Sequence, residues 1–210
     1  MSAPESSDLV TRRLTLADLA AVVALHQRVR ATLPRDLIAY ETDDFFADHM
    51  DRLGRIYGCF WGKDLVAYAV LGLPRHGDAN FGTDHGLAGE ELGRVAHLDG
   101  AAVLEPWQGQ GLHRAMTALR MEAAWRHGRS IMLSTAAPLN IPSLCNLLLC
   151  GLRIRGLVQK FGGARFLLRR DVEEADSLAP RERFPDYPAA DRVALADLDG
   201  HHEALRRGLS

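Results

Sequence analysis

The sequence predicts one mixed α/β domain, with a central, mostly antiparallel sheet of about seven strands flanked by about four helices. Three observations carry this expectation. Two pairs of β-prone runs are each joined by a short Gly-containing connection, the mark of antiparallel hairpins. A longer β-prone run, residues 94–104, leads through a Gly-rich turn into an amphipathic helix. The chain has 210 residues, 47% hydrophobic and 25% charged, enough to build one domain with a sizeable core.

The elements follow in order. Residues 9–13 read as a short strand. Thr15 then opens a helix as N-cap, Asp18 helps the exposed N–H groups, and Leu16, Leu19, Ala20, Val22 and Val23 form its apolar stripe to about Arg30. Leu33-Pro34 breaks that helix, and Thr42-Asp43-Asp44 caps a second one running through Phe45, Phe46, His49, Met50 and Leu53. Strands at 55–61 and 65–73 flank Gly62-Lys63-Asp64. Residues 74–93 read as a loop rich in Gly, His and Asp. After the strand at 94–104, residues 112–127 form a helix with Leu112, Ala115, Met116, Leu119 and Ala123 on one face and Gly128 as its stop. A strand at 130–136 and a short apolar helix at 141–150, closed by Gly151, come next. Runs at 154–161 and 165–169 flank Gly162-Gly163 as a second hairpin. From residue 172 the composition turns polar, with Pro180, Pro185 and Pro188, and residues 193–209 suit a last strand or helix.

Composition narrows the function. A formal net charge of −2 without blocks of like charge gives no reason to expect nucleic acid or a membrane surface as partner. No apolar run reaches the roughly 20 residues that span a bilayer. The N-terminal MSAPESSDLVTRR lacks the apolar core of a signal peptide, so a cytoplasmic location is expected. Cys59, Cys145 and Cys150 sit in apolar runs without a CxxC pair, which fits buried thiols rather than a disulfide framework or a zinc site.

The sharpest local signal is Ala101-Ala102-Val103-Leu104-Glu105-Pro106-Trp107-Gln108-Gly109-Gln110-Gly111-Leu112-His113-Arg114. Here a strand ends, two glycines come two residues apart, and a helix begins. Such glycines let the backbone approach a ligand, and the helix start offers unpaired N–H groups and a positive dipole end to an anion. Arg114 can add a charge-assisted contact to phosphate. A Walker loop needs Gly-Lys-Ser/Thr, which is absent. A dinucleotide fingerprint needs a small residue where Arg114 stands and an acid about 20 positions on, where Arg129-Ser130-Ile131 lies. Taken alone, the turn also reads as an ordinary connection between a strand and a helix.

Its surroundings sharpen that reading. The turn resembles the acetyl-CoA motif of the GNAT acyltransferase superfamily, Gln/Arg-x-x-Gly-x-Gly/Ala, in the form Gln108-x-x-Gly111-x-His113. Asn140-x-x-Ser143 with Gly151-Leu152, and the closing Phe161-Gly162-Gly163 with Leu167-Leu168-Arg169-Arg170-Asp171, resemble later segments of the same family. The resemblance covers residues 8–171 as one domain and leaves 172–210 as a C-terminal extension. It implies a sheet splayed between the strands at 94–104 and 130–136, and an acetyl-CoA-dependent N-acetyltransferase acting without metal on a small-molecule or peptide amine. Ala101, Ala102 and Val103 would pair with the pantetheine arm, and the Val103 N–H would face the oxyanion. Gln108, Gly109, Gln110, Gly111, Leu112, His113 and Arg114 would hold the pyrophosphate, and Asn140 and Ser143 would contact the cofactor. The family's habit also suggests a homodimer. Two departures stand out. His113 occupies a small-residue position, and Leu147 stands where many members carry a Tyr that protonates the thiolate. Leu147 raises the alternative of a catalytically degenerate CoA-binding or protein-interaction module.

An amine acceptor titrating near 10.4 needs a base. His97 and Asp99, two apart on one strand, share a face and are the candidates; the competing reading makes His97 a core histidine and Asp99 part of a turn with Gly100. Ser143, Cys145 and Asn146 lie near the missing acid but suit packing in an apolar helix. His76, Asp78, Asp84 and His85 read as solvated loop residues rather than metal ligands. Glu41, Asp43 and Asp44 could draw a cationic amine, although helix capping explains them more simply. Further bases to consider are His85 and Glu90.

Overall fold

A computed structural model describes residues 8–34, 36–174, 176–182 and 198–207. Its strands are β1 (Leu9–Arg13), β2 (Gly54–Trp61), β3 (Asp64–Gly72), β4 (Val95–Val103), β5 (Ile131–Ala136), β6 (Arg153–Lys160) and β7 (Gly163–Asp171). They form one sheet in the order β1-β2-β3-β4-β5-β7-β6. Every neighbouring pair is antiparallel except β4 and β5. The helices are α1 (Leu19–Arg30), α2 (Asp43–Asp51), α3 (Leu112–Arg126), α4 (Ile141–Leu149) and α5 (Leu198–Arg206).

Alternation along the strands sorts the side chains into two layers. Tyr68 and Val70 of β3 pack with Val22, Leu25, Val29, Phe46 and Met50, so α1 and α2 cover one face. Ala96 and Leu98 of β4 and Phe166 and Leu168 of β7 pack with Met121, Ala124, Leu144 and Leu147, so α3 and α4 cover the other. Leu178, Leu198 and Leu205 of the tail lie against this second cluster.

The central feature is where β4 leaves β5. The two strands pair only over Val95–His97, opposite Ile131–Leu133. On its other side β4 pairs with β3, but Leu71 faces Leu98 while Ala69 faces Ala101, so Asp99 and Gly100 bulge opposite the single Val70. A bulge bends its strand and frees carbonyls from the ladder. Those carbonyls are met by Arg120, a side chain only 1% exposed. Its guanidinium donates to the Val70 and Asp99 carbonyls, both at 2.9 Å, and to Thr117 Oγ1 at 3.1 Å. Beyond this point the strands splay apart.

Several local expectations need correction. Leu16 is 57% exposed, because residues 16–18 form a 3-10 turn and the buried stripe of α1 is Val22, Leu25, His26 and Val29. Helix α3 buries Met116, Thr117, Arg120, Met121 and Ala124 rather than the face containing Ala115, because it must deliver Arg120 to the bulge. The stretch 74–93 is not plain loop but carries 3-10 segments at Phe81–His85 and Gly89–Arg94. The second hairpin turns on Phe161 and Gly162, at φ 55° and 79°, and Gly163 already belongs to β7. A two-residue turn that follows the strand twist needs positive φ at both positions, and here a phenylalanine takes one of them. Within 193–209 the structure has a helix, α5; residues 193–197, 208 and 209 lie outside the described residues.

If Arg120 holds the bulge, Arg120→Met should leave two buried carbonyls unpaired and lower stability by about 2–6 kcal/mol, at 1–3 kcal/mol per unsatisfied group. Urea unfolding should show a lower midpoint with an unchanged slope. An unaltered midpoint would mean that the bulge does not depend on this contact.

Candidate active site

The splay opens a cleft of about 590 Å³ that is lined from both layers of the molecule. From the α3/α4 side come Trp107, Gln108, Gly109, Gly111, Leu112, His113 and Arg114, with Asn140 and Ser143. From the α1/α2 side come Val29, Leu33, Leu37, Ile38, Glu41, Asp99 and Phe81. The backbone of Gly100, Ala101, Ala102 and Val103 runs between them.

At the Gly-rich turn, Gly109 and Gly111 have φ of 76° and 78°, and Gly111 is the N-cap of α3. A side chain at Gly109 would meet nothing within 4 Å, so this surface is open and its backbone approachable. Gln110 does not line the cleft: its amide donates back to the Pro106 carbonyl at 3.2 Å. His113 lines the cleft while its Nδ1 is buried without a partner in the described structure. Burial and the Arg120 charge hold its pKa down at about 3, so it is a neutral imidazole.

Strand β4 presents alternate backbone groups to the opening. Leu104 N–H bonds the Val66 carbonyl at 2.9 Å, so the alternation of an antiparallel ladder turns Ala102 toward β3 and Ala101 and Val103 toward the splay. Gln108 Nε2 donates to the Val103 carbonyl at 2.9 Å, which leaves the Val103 N–H as a donor aimed into the cleft. Ala102 contributes wall rather than strand-like pairing.

Asp99 lines the cleft, and His97 does not. The His97 ring is 6% exposed and stacks on Phe81 at 4.2 Å between centroids. Its Nε2 accepts the Phe81 N–H at 3.0 Å, which places its proton on Nδ1, 4.0 Å from Asp99 Oδ2. Burial lowers the His97 pKa, against the pull of Asp99. His49, on the buried face of α2, approaches the same Asp99 oxygen at 3.5 Å while its Nδ1 donates to the Phe45 carbonyl at 2.8 Å. Burial disfavours the His49 cation, but its hydrogen bond to Asp99, the charges of Asp99 and Glu41 and the Phe45 carbonyl outweigh that, and the net shift is upward.

Glu41 does not cap a helix. Thr42 does, accepting from the Phe45 N–H at 3.1 Å, and Glu41 turns into the cleft beside Gly100. Burial first, then the negative charge of Asp99, raises its carboxyl pKa to about 7. The Glu41 N–H donates to His26 Nε2 at 3.3 Å, and His26 Nδ1 meets Tyr68 Oη at 2.7 Å. The sequence signal that could have revealed His26 and His49 is their place on the apolar stripes of α1 and α2, where a polar ring needs a partner.

Ser143, Cys145, Asn146 and Leu147 all border the cleft, and Leu147 is 2% exposed. Asn140 is bound within the protein: its Oδ1 accepts from the Ser143 N–H at 3.3 Å and its Nδ2 donates to the Leu37 carbonyl at 3.0 Å. It therefore ties the α1–α2 connection to the start of α4. His76, Asp78, Asp84 and His85 are not brought together. Asp78 accepts from the Arg75 N–H, Asp84 pairs with Lys160, and among the described residues no group of three or more His, Cys, Asp or Glu could hold a metal ion. Likewise, no described helix is long and apolar enough to cross a membrane.

No protein-family model and no curated protein sequence matches the chain. Its architecture, however, is that of the GNAT N-acetyltransferases. It is similar to a putative acetyltransferase from Salmonella typhimurium, solved with its cofactor acetyl-CoA, at a TM-score of 0.60 and 18% identity over 84% of this chain and 100% of that one. A ribosomal-protein-alanine N-acetyltransferase from Brucella melitensis matches at 0.60 and 20% identity, over 78% and 99% of the two chains. A putative phosphinothricin N-acetyltransferase matches at 0.59 and 17%, over 79% and 99%.

The raised Glu41 pKa has a consequence for stability. Because the folded pKa of about 7 exceeds the ordinary 4.5, this group favours the folded state below pH 4.5 and loses that contribution as pH rises through 7. Glu41→Gln cannot charge, so its stability relative to the parent should increase between pH 5 and pH 8, by on the order of 1 kcal/mol or more. A difference that stays flat with pH would place the Glu41 carboxyl at an ordinary pKa.

Proposed function

We propose that this chain is an acetyl-CoA-dependent N-acetyltransferase acting by direct attack of an acceptor amine within a ternary complex. The observation that carries the proposal is one cleft joining a turn opened by two glycines and a free strand edge on one side to a carboxyl with its pKa raised to about 7 on the other. On this reading, N–H groups from Gly109 to Arg114 cradle the pyrophosphate at the positive end of α3. The outward backbone groups of Ala101 and Val103 continue the sheet with the pantetheine arm, and acetyl-CoA supplies an activated acyl group there. The Val103 N–H stabilises negative charge as it develops on the acyl oxygen.

The amine enters from the α1/α2 side. Glu41 takes its proton: a base near pH 7 combines the right ionisation state with useful proton affinity. Burial and, after it, the Asp99 charge keep Glu41 basic; Asp99 attracts the incoming ammonium, His49 and His97 orient Asp99, and proton transfer then leaves a neutral nucleophile. Leu147 offers no proton to the departing thiolate, which takes one from solvent. That same leucine favours a second reading, a CoA-binding module without transfer; CoA binding with no thiol release across a broad amine panel would point to it.

Saturating CoA or acetyl-CoA should raise Tm by mass action, and Gly111→Val, which forces a β-branched residue into positive φ, should abolish the shift in a folded protein. Absence of any shift in the parent chain removes the proposal. For the base, Glu41→Gln should lower kcat/KM by roughly 100-fold at neutral pH, with a smaller loss at high pH where neutral amine is plentiful. Asp99→Asn should move the rising limb of the pH–rate profile to lower pH, since the charge that raises Glu41 is gone. Near-normal rates in Glu41→Gln would return the assignment to Asp99 and His97.

A further inference from the structure

Strand β7 carries a buried cation that neither the fold nor the chemistry above explains. Arg165 is 3% exposed, yet it borders the cleft. Phe166 and Leu168 point into the α3/α4 cluster, so strand alternation sends Arg165 to the opposite face, the one that holds Asp99, His49 and Glu41. Register places it just past the end of β5, since β5 pairs with β7 only as far as Phe166. Its guanidinium donates to the Ala164 carbonyl at 2.9 Å and more weakly to the Phe161 carbonyl at 3.4 Å. Among the described residues, no carboxylate is in ion-pair contact with it; Asp36 acts on it only through its charge.

Burying a guanidinium without a carboxylate costs free energy that two carbonyl contacts only partly offset. Of its five N–H donors, two are used, and the planar fork of those remaining suits a carboxylate. The cleft it borders is also lined by apolar Val29, Leu33, Leu37, Ile38, Phe81 and Phe161. Phe161 is held at positive φ, an unfavourable backbone for a phenylalanine, at the turn beside Arg165. The acceptor side thus has three regions of different character: acidic at Glu41 and Asp99, cationic at Arg165, and apolar at the aliphatic and phenylalanine side chains.

We infer that the acceptor is an amino acid with an apolar side chain, its amine directed to Glu41 and Asp99 and its carboxylate held by Arg165. The inference rests on the acyl-transfer reading of the cleft and adds to it the substrate class. A plain amine would leave Arg165 buried and unpaired, and a peptide N-terminus would put an amide where the carboxylate belongs.

The test compares matched acceptors with acetyl-CoA, following thiol release: leucine and phenylalanine, their amides and methyl esters, and the amines that lack the carboxyl altogether. With the native chain, the free amino acids should exceed their amides and esters in kcat/KM by roughly 100-fold, the scale on which a site built around a polar group rejects an analogue lacking it. Arg165→Gln should erase that preference by lowering the rate with free amino acids while leaving the amides unchanged, and Arg165→Lys should retain part of it. An unchanged CoA-induced rise in Tm shows that each variant is folded with its cofactor side intact. Equal rates for acids and amides in the native chain, or a preference unaffected by Arg165→Gln, would overturn the inference. So would CoA binding with no turnover of any free amino acid. A native chain that CoA does not stabilise would instead sink the acyltransferase reading itself, a separate outcome.

Discussion

The hydrogen bonds from Arg120 to the carbonyls of Val70 and Asp99 join the layer of α3 to the point where β4 stops being an ordinary strand. A bulge in the middle of a sheet exposes backbone acceptors to an apolar interior, and without donors it would be squeezed out. Arg120 supplies them from a fully buried position. Burial lowers its pKa to about 10, so it keeps its charge at neutral pH and bonds as a cation. Both halves of the site follow. The bend carries Gly100–Val103 away from β5 and opens a strand edge, and it sets the Asp99 side chain on the α1/α2 face beside Glu41.

The electrostatics of that face come from crowding rather than from any single strong pair. Burial raises the Glu41 pKa most, and the nearby charge of Asp99 adds to it. His49 shares the load on Asp99 without neutralising Glu41. His26 and Tyr68 remain uncharged, because burial lowers one pKa and raises the other, and they hold the Glu41 backbone rather than its charge. The connection between α1 and α2 is therefore tied at two points, by Asn140 at Leu37 and by His26 at Glu41. These contacts fix the loop that carries Glu41.

On the far side, α4 presents Leu147 and Leu144 to the interior, and Cys150 offers its thiol to the Arg114 carbonyl at 3.7 Å. Burial pushes that thiol up to about 11, so it stays protonated and inert. Leu147 makes this part of the cleft wall apolar, and Ser143, Cys145 and Asn146 border the cleft beside it.

Much of this was legible in the chain itself. Hairpins declared themselves through Gly62 and Gly162, the crossover through Gly109 and Gly111, and helix α2 through Thr42, because turns and caps depend on residues that are neighbours in sequence. Ala101, Ala102 and Val103 were named through the family resemblance, and the ladder turns Ala102 toward β3 and the other two toward the splay. What stayed hidden depends on contacts between distant elements. Strand order put β7 between β5 and β6, which brought Arg165 to the cleft. The α1–α2 connection folded back so that Glu41, which reads as part of a cap, turned into the cleft with its carboxyl pKa raised. His97, which reads as a partner of Asp99 in the cleft, was covered by Phe81 from a 3-10 turn 16 residues away. Periodicity says which side chains share a face, but the bulge, the splay and the desolvation that tunes a pKa arise only when the layers close on one another.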